Sequence, residues 1–221
     1  EKDVVVDKNT SKASVFGLNN VVLGKEVLAL GNNNNVNGEN STAIGTQSTA
    51  DGINALAIGV GAKAHVTNPA AANSNKPGNL VAIGTSAEAT AAETVAIGQA
   101  AKASGQNSNA YGSKANASAT SSLAVGSGSV ASGDSAVAIG NDSTVTGDSA
   151  VAIGASATST GKWSTALGDR ANAKGEKSVA LSNDSYAKDD NSVALGSGTI
   201  TRSATKENTA TVNGITYSGF A

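Results

Sequence analysis

Along most of this 221-residue chain, a Gly closes an Ala–aliphatic–Gly triplet every 14 residues. The markers are Gly17, Gly31, Gly45, Gly59, Gly84, Gly98, Gly112, Gly126, Gly140, Gly154, Gly168, Ser182 (where Ser replaces Gly) and Gly196. Of the 12 intervals between these 13 markers, eleven are 14 residues and one, Gly59 to Gly84, is 25. So short and regular a period means that no unit can bury a core alone, and each must stack on its neighbours. The unit is clearest at 135–147, SAVAIGNDSTVTG, which recurs at 149–161 as SAVAIGASATSTG.

Position within the unit carries the next layer of information. Two residues before the marker stands Ala in 12 of 13 units, from Ala29 to Ala194, with Val15 the exception. One residue before it is Ile, Leu or Val, apart from Phe16 and Tyr111, and three before it is often Val or Leu. Residues two apart share a face of a strand. The two aliphatics therefore point one way and Ala the other. Small residues also recur three and five residues after the marker, and Gly returns seven after it in eight units. Each unit is thus two short strands and two corners, with Gly supplying the positive φ that a corner asks for. Ser182 predicts a less demanding corner.

Evenly spaced Gly and period-two patterning exclude helix. The expectation is an all-β parallel β-solenoid of 13 coils, a rod about 60 Å long at about 4.8 Å per coil. Its interior should hold two aliphatic side chains per coil and a few Ala. That interior is thin, because ordering each residue costs about 1–2 kcal/mol and burying one aliphatic returns about 1.5–3 kcal/mol. The Ala face should therefore also be covered, by another rod lying close. The extra 11 residues form an insertion at about 66–79.

Composition removes several functions. Net charge is -2 with no block of like charge, which leaves no Lys/Arg stripe for nucleic acid. The absence of Cys excludes disulfides, thiolate metal sites and a Cys nucleophile. No apolar run is long enough to span a bilayer. The chain opens on Glu1, which predicts a processed product or a fragment whose membrane anchor lies elsewhere.

Units such as Ser41-Thr42-Ala43-Ile44-Gly45, Ser122-Leu123-Ala124-Val125-Gly126 and Ser192-Val193-Ala194-Leu195-Gly196, in register over 13–203, resemble the head repeats of the YadA-like trimeric autotransporter adhesins. The resemblance implies a left-handed parallel β-roll and a homotrimer of three rolls around one axis. It further implies display at the bacterial outer membrane and adhesion to host extracellular matrix or cell-surface proteins of the collagen, fibronectin or laminin class. On that basis 1–14 is a lead-in or cap, 15–203 the head and 204–221 the start of a neck or connector. The family's coiled-coil stalk and β-barrel anchor do not follow.

Candidate partner contacts are Asn68, Pro69, Asn73, Asn75, Lys76 and Pro77 in the insertion, and Trp163 at a corner. A loop on a rigid scaffold is a place for receptor contacts, or else a tolerated lengthening. Trp163 is either an exposed anchor or packing against a neighbouring coil or subunit. His65, the one histidine, has no acid or nucleophile assigned to it by motif and reads as a solvated loop residue. The run Asn32, Asn33, Asn34, Asn35 reads as a polar corner, with an Asn ladder or an ion site as alternatives. Asp142, Asp148 and Asp189 lie near corners without forming a ligand column. Lys63, Lys102, Lys114 and Lys174 read as solubilising charge. No catalytic, cofactor or metal site is expected.

Two other classes fit a solenoid less well. A left-handed β-helix acyltransferase needs a period of six, whereas this chain keeps 14. An ice-binding solenoid needs a regular Thr array, whereas Thr42, Thr94, Thr144 and Thr165 fall at different coil positions.

Overall fold

The computed structural model describes residues 5–6, 12–67, 78–203 and 209–219. The coils form two parallel sheets, each with 13 strands among the described residues. One runs from Ser14–Phe16 through Val137–Ile139 to Val193–Leu195; the other runs from Val5–Val6 through Thr144–Val145 to Tyr186–Ala187. The register follows the repeat. Ala138 lies between Ala124 and Ala152, and Ile139 between Val125 and Ile153. No helix occurs among the described residues. The fold is the expected all-β parallel solenoid.

The insertion leaves both ladders intact. Leu56–Ile58 pairs directly with Val81–Ile83, and Lys63 faces Glu88. Asn54 Nδ2 donates to Asn79 Oδ1 at 3.2 Å across the same gap. At the start of the chain, Val5–Val6 pairs with Val21–Val22 and so extends one sheet. Near the end, Thr209–Val212 and Ile215–Ser218 form an antiparallel hairpin around Asn213 and Gly214. Both turn residues have positive φ, as a two-residue hairpin turn requires.

The interior reverses the sequence expectation. Ala29, Ala43, Ala57, Ala82, Ala96, Ala138 and their equivalents are fully buried inside the roll. The flanking aliphatics point outward and stay partly exposed, Ile153 at 38% and Leu167 at 46%. The inward positions lie four and two residues before the marker and three and five after it, and nearly all carry Ala, Ser or Val. The two sheets thus meet across side chains of Ala size, with no room for the paired aliphatics predicted to fill the roll. Inward Ser hydroxyls bond to the preceding turn: Ser122 Oγ donates to Ala119 O at 2.7 Å and Ser192 Oγ to Asp189 O at 2.6 Å.

A second correction falls on the Asn run. Asn34 is buried in the roll rather than at a polar corner, and it builds a ladder. Its N–H donates to Oδ1 of buried Asn20 at 3.0 Å, and its own Oδ1 accepts from Ser48 Oγ at 2.6 Å. Asn32 Oδ1 accepts the Leu18 N–H at 3.0 Å.

Coil-to-coil hydrogen bonds continue around the corners. Gly140 N–H donates to Val125 O at 2.8 Å, and Ser135 N–H to Thr120 O at 2.9 Å. With a net worth of about 0.5–1.5 kcal/mol each, these bonds offset the small apolar yield of an Ala interior.

The corners also differ from expectation. Marker Gly residues do have positive φ, +134° at Gly140. The Gly seven residues on does not. There it is close stacking that favours Gly: a Cβ on Gly147 would run into the carbonyl of Gly161. The positive φ falls two residues later, on residues of any type, among them Asn40, Ser149, Trp163 and Lys177. Their N–H groups hold the turn by donating to the preceding coil, Trp163 to Asp148 O at 2.9 Å and Lys177 to Lys162 O at 2.8 Å.

Ser182 likewise sits at φ +108°. Its corner makes the same demand as the others, and Ser meets it under strain of order 1–3 kcal/mol. Ser182→Gly should therefore raise stability by about 1 kcal/mol after the entropy cost of Gly, a rise in Tm of roughly 2–4 °C by calorimetry. An unchanged or lower Tm would remove the strain argument.

Candidate binding surfaces

The rod presents two unlike faces. The face of the Val137–Ile139 sheet carries outward apolar side chains along its whole length, from Phe16 through Leu30, Ile97, Ile153 and Leu167 to Leu195. The face of the Thr144–Val145 sheet is mainly polar, with Asn116, Thr144, Thr158 and Asn172 in one outward column. A contiguous apolar stripe of this length marks an interaction surface.

Charged residues on the polar face stack across coils in alternating sign. Lys63 Nζ lies 3.0 Å from Glu88 Oε1, and Lys102 Nζ 3.9 Å from Glu88 Oε2. His65 is not in a loop but in strand Lys63–His65, with Nδ1 3.1 Å from Asp51 Oδ2 one coil away. At a corner, Arg170 grips Asp184 with two hydrogen bonds of 2.7 and 3.0 Å. The Arg170 hydrogen bond holds the Asp184 carboxyl below its usual range, and Asp184 raises the Arg170 guanidinium in return. These pairs are exposed and contribute little individually. What they record is register.

Of the sequence candidates, Asn68, Pro69, Asn73, Asn75, Lys76 and Pro77 lie outside the described residues. Trp163 is 48% exposed at its corner. Lys162 Nζ sits 4.4 Å from the ring centroid and Lys177 Nζ, from the next coil, 5.1 Å, both within cation–π reach. Asp148 belongs to a corner ladder, accepting the Asp134 N–H at 3.2 Å, while Asp134 accepts the Thr120 N–H. Among the described residues no cluster of three or more His, Cys, Asp or Glu could hold a metal ion. The arrangement suits extended, repeated contact rather than chemistry at one point.

The family model follows the same repeat. The YadA head domain repeat model matches residues 28–48, 37–62, 50–68, 81–101, 89–115, 103–129, 131–157, 159–181 and 183–199, together well over half of the chain. The matches break only briefly within the rod, most widely between 68 and 81, where the insertion lies. The crystal structure of the collagen-binding domain of the Yersinia adhesin YadA aligns at 26% identity over 78% of each chain, with a TM-score of 0.40. A search of curated proteins finds no match. The spans of the family model fall on the stacked coils, and the chain belongs to the YadA head repeat family, as a head domain of the trimeric autotransporter adhesin type.

Proposed function

We propose that three copies of this rod pack their aliphatic faces around a common axis, forming an adhesin head at the bacterial surface. The observation that carries this reading is the outward apolar stripe, which has no partner within a single chain and runs over every coil. Burying it on a symmetric axis leaves three polar faces outward. A head of this kind attaches by summing many weak contacts, since linked sites raise effective concentration. Its targets are host matrix or cell-surface proteins of the collagen, fibronectin or laminin class. The insertion at about 66–79 and Trp163 are the contact points that stand out from the repeated surface. Residues 1–14 serve as lead-in, and 204–221 begin a neck or connector leading toward a membrane anchor.

Sedimentation of the purified chain should give a trimer, and the trimer should bind at least one of immobilised collagen, fibronectin and laminin. Deleting 66–79, or making Trp163→Ala, should weaken that binding about tenfold while leaving the trimer intact. A stable folded monomer would overturn the assembly. Unchanged binding in both variants would move the contact to the repetitive faces.

A further inference from the structure

On the polar face, stacked charges alternate in sign at one end and do not at the other. Lys63, Glu88 and Lys102 follow one another in a single column, and in the column beside it Asp51 faces His65, with which it shares a hydrogen bond. At the far end the outward position six residues after the marker holds Lys174, Lys188 and Arg202 in three successive coils. Their register is fixed by hydrogen bonds between coils, two between backbones and one to a side chain. Lys174 N–H donates to Ala187 O at 2.8 Å, Thr201 N–H to Tyr186 O at 3.0 Å, and Lys188 N–H to Thr201 Oγ1 at 3.0 Å. The three lie just past the strand ends, but successive coils stack about 4.8 Å apart, and like charges at that spacing repel.

Neighbouring acids do not relieve this column. Among the described residues, none of the three cations has a carboxylate within ion-pair distance. Asp189, next in sequence to Lys188, accepts from Ser203 Oγ at 3.1 Å through Oδ1, and its Oδ2 is shut off from solvent. Asp190 accepts the Glu176 N–H at 2.8 Å, and Glu176 pairs with Lys177 at 2.9 Å. All three cations are exposed. The column continues upward through exposed hydroxyls, Thr160, Thr146 and Ser132, which supply neutral hydrogen-bonding rungs.

We propose that Lys174, Lys188 and Arg202 form a docking column for a linear sulfated polysaccharide laid along the rod. Anionic groups spaced every few ångströms on a flexible chain would supply the negative charge that the sheet omits, and the Thr and Ser rungs would meet sugar hydroxyls. The choice of a polysaccharide over other polyanions rests on the surface-displayed adhesin reading above; the cation column itself does not.

Heparin is the probe, with affinity measured across a salt series on the intact chain. The triple variant Lys174→Gln, Lys188→Gln, Arg202→Gln should bind at least tenfold more weakly, with a salt slope lower by about 2, at roughly 0.7 per cation on a flexible polyanion. A charge-matched control, Lys63→Gln, Lys102→Gln, Lys114→Gln, should stay within about twofold of the parent. Lys188→Glu should abolish heparin binding while raising Tm by roughly 1–3 °C, because it restores alternating sign along the column.

Equal loss in the control, equal binding of desulfated heparin, or no heparin binding by the parent chain would overturn the column. Tighter, column-dependent binding of single-stranded DNA would overturn the assignment to polysaccharide. Matrix-protein binding measured on the same samples separates the two readings. A head that holds matrix protein and ignores heparin overturns this inference alone. A head that binds heparin through the column and no matrix protein overturns only the matrix-protein reading.

Discussion

Ala138→Leu should disrupt the rod far more than Ile139→Ala, the reverse of what hydrophobicity alone would rank. Ala138 is fully buried between Ala124 and Ala152, opposite a second sheet that is equally close-packed. A Leu there has no cavity to enter. Overpacking a tight core costs about 1–3 kcal/mol, occasionally more, and the repeated small neighbours place this site at about 3 kcal/mol. For a chain of this size that is a fall in Tm of roughly 6–12 °C. Ile139 points outward and is only partly covered by its own chain. Ile139→Ala should keep the circular dichroism spectrum of the parent rod and act on association instead. If Ala138→Leu kept the parent Tm, the roll would have slack that its burial pattern denies.

Paired acids on the aliphatic face should convert the assembly to monomers. Ile139→Asp with Ile153→Asp places two carboxylates per chain, in adjacent coils, on the surface proposed to meet the axis. An unpaired charge buried at an interface costs several kcal/mol. Three copies would bring six such charges together. Sedimentation should report a monomer that keeps its β spectrum, because both side chains point out of the roll. Attachment should fall by about 10²–10⁴ as multivalency is lost. A variant that stays trimeric would place the interface on another face.

The period alone carried most of the architecture. Gly markers 14 residues apart defined coil number, parallel register and the place of the insertion, and the two sheets follow them strand for strand. Orientation was harder to read. Period-two patterning says that Val137 and Ile139 share a face and that Ala138 has the other, but it does not say which face is inside. Hydrophobicity pointed to the aliphatics; the narrowness of the coil decides for Ala. A signal for this lies in the repeats themselves. The position one before the marker accepts Phe16, Ile44, Tyr111 and Leu195, as a surface can, while the position two before it stays Ala from Ala29 to Ala194. The Ser at the head of each S-x-A-I-G unit shares the Ala face and points the same way.

Corner chemistry was hidden for another reason. The positive φ at Trp163 or Lys177 is held by hydrogen bonds to the coil before, so the residue type there carries only a faint trace of it, in the Asn of Asn40, Asn54, Asn107 and Asn191 at the same corner. The cation column, by contrast, is visible as Lys174, Lys188 and Arg202 at 14-residue spacing. Taken singly, Lys174 looks like solubilising charge. Only the shared coil position makes three residues one feature.

The direct pairing of Leu56–Ile58 with Val81–Ile83 has a consequence for how such a molecule changes over generations. Each coil offers its successor the same two ladders, so chain can be looped out between strands without loss of register. By the same token a whole 14-residue unit can be gained or lost. Neighbours as alike as 135–147 and 149–161 make such a change one of copy number, a unit at a time. Each event alters the length of the rod by about 4.8 Å and creates no new kind of contact. Reach from the cell surface is therefore a quantity this architecture can vary in small steps, independently of the chemistry displayed along its sides.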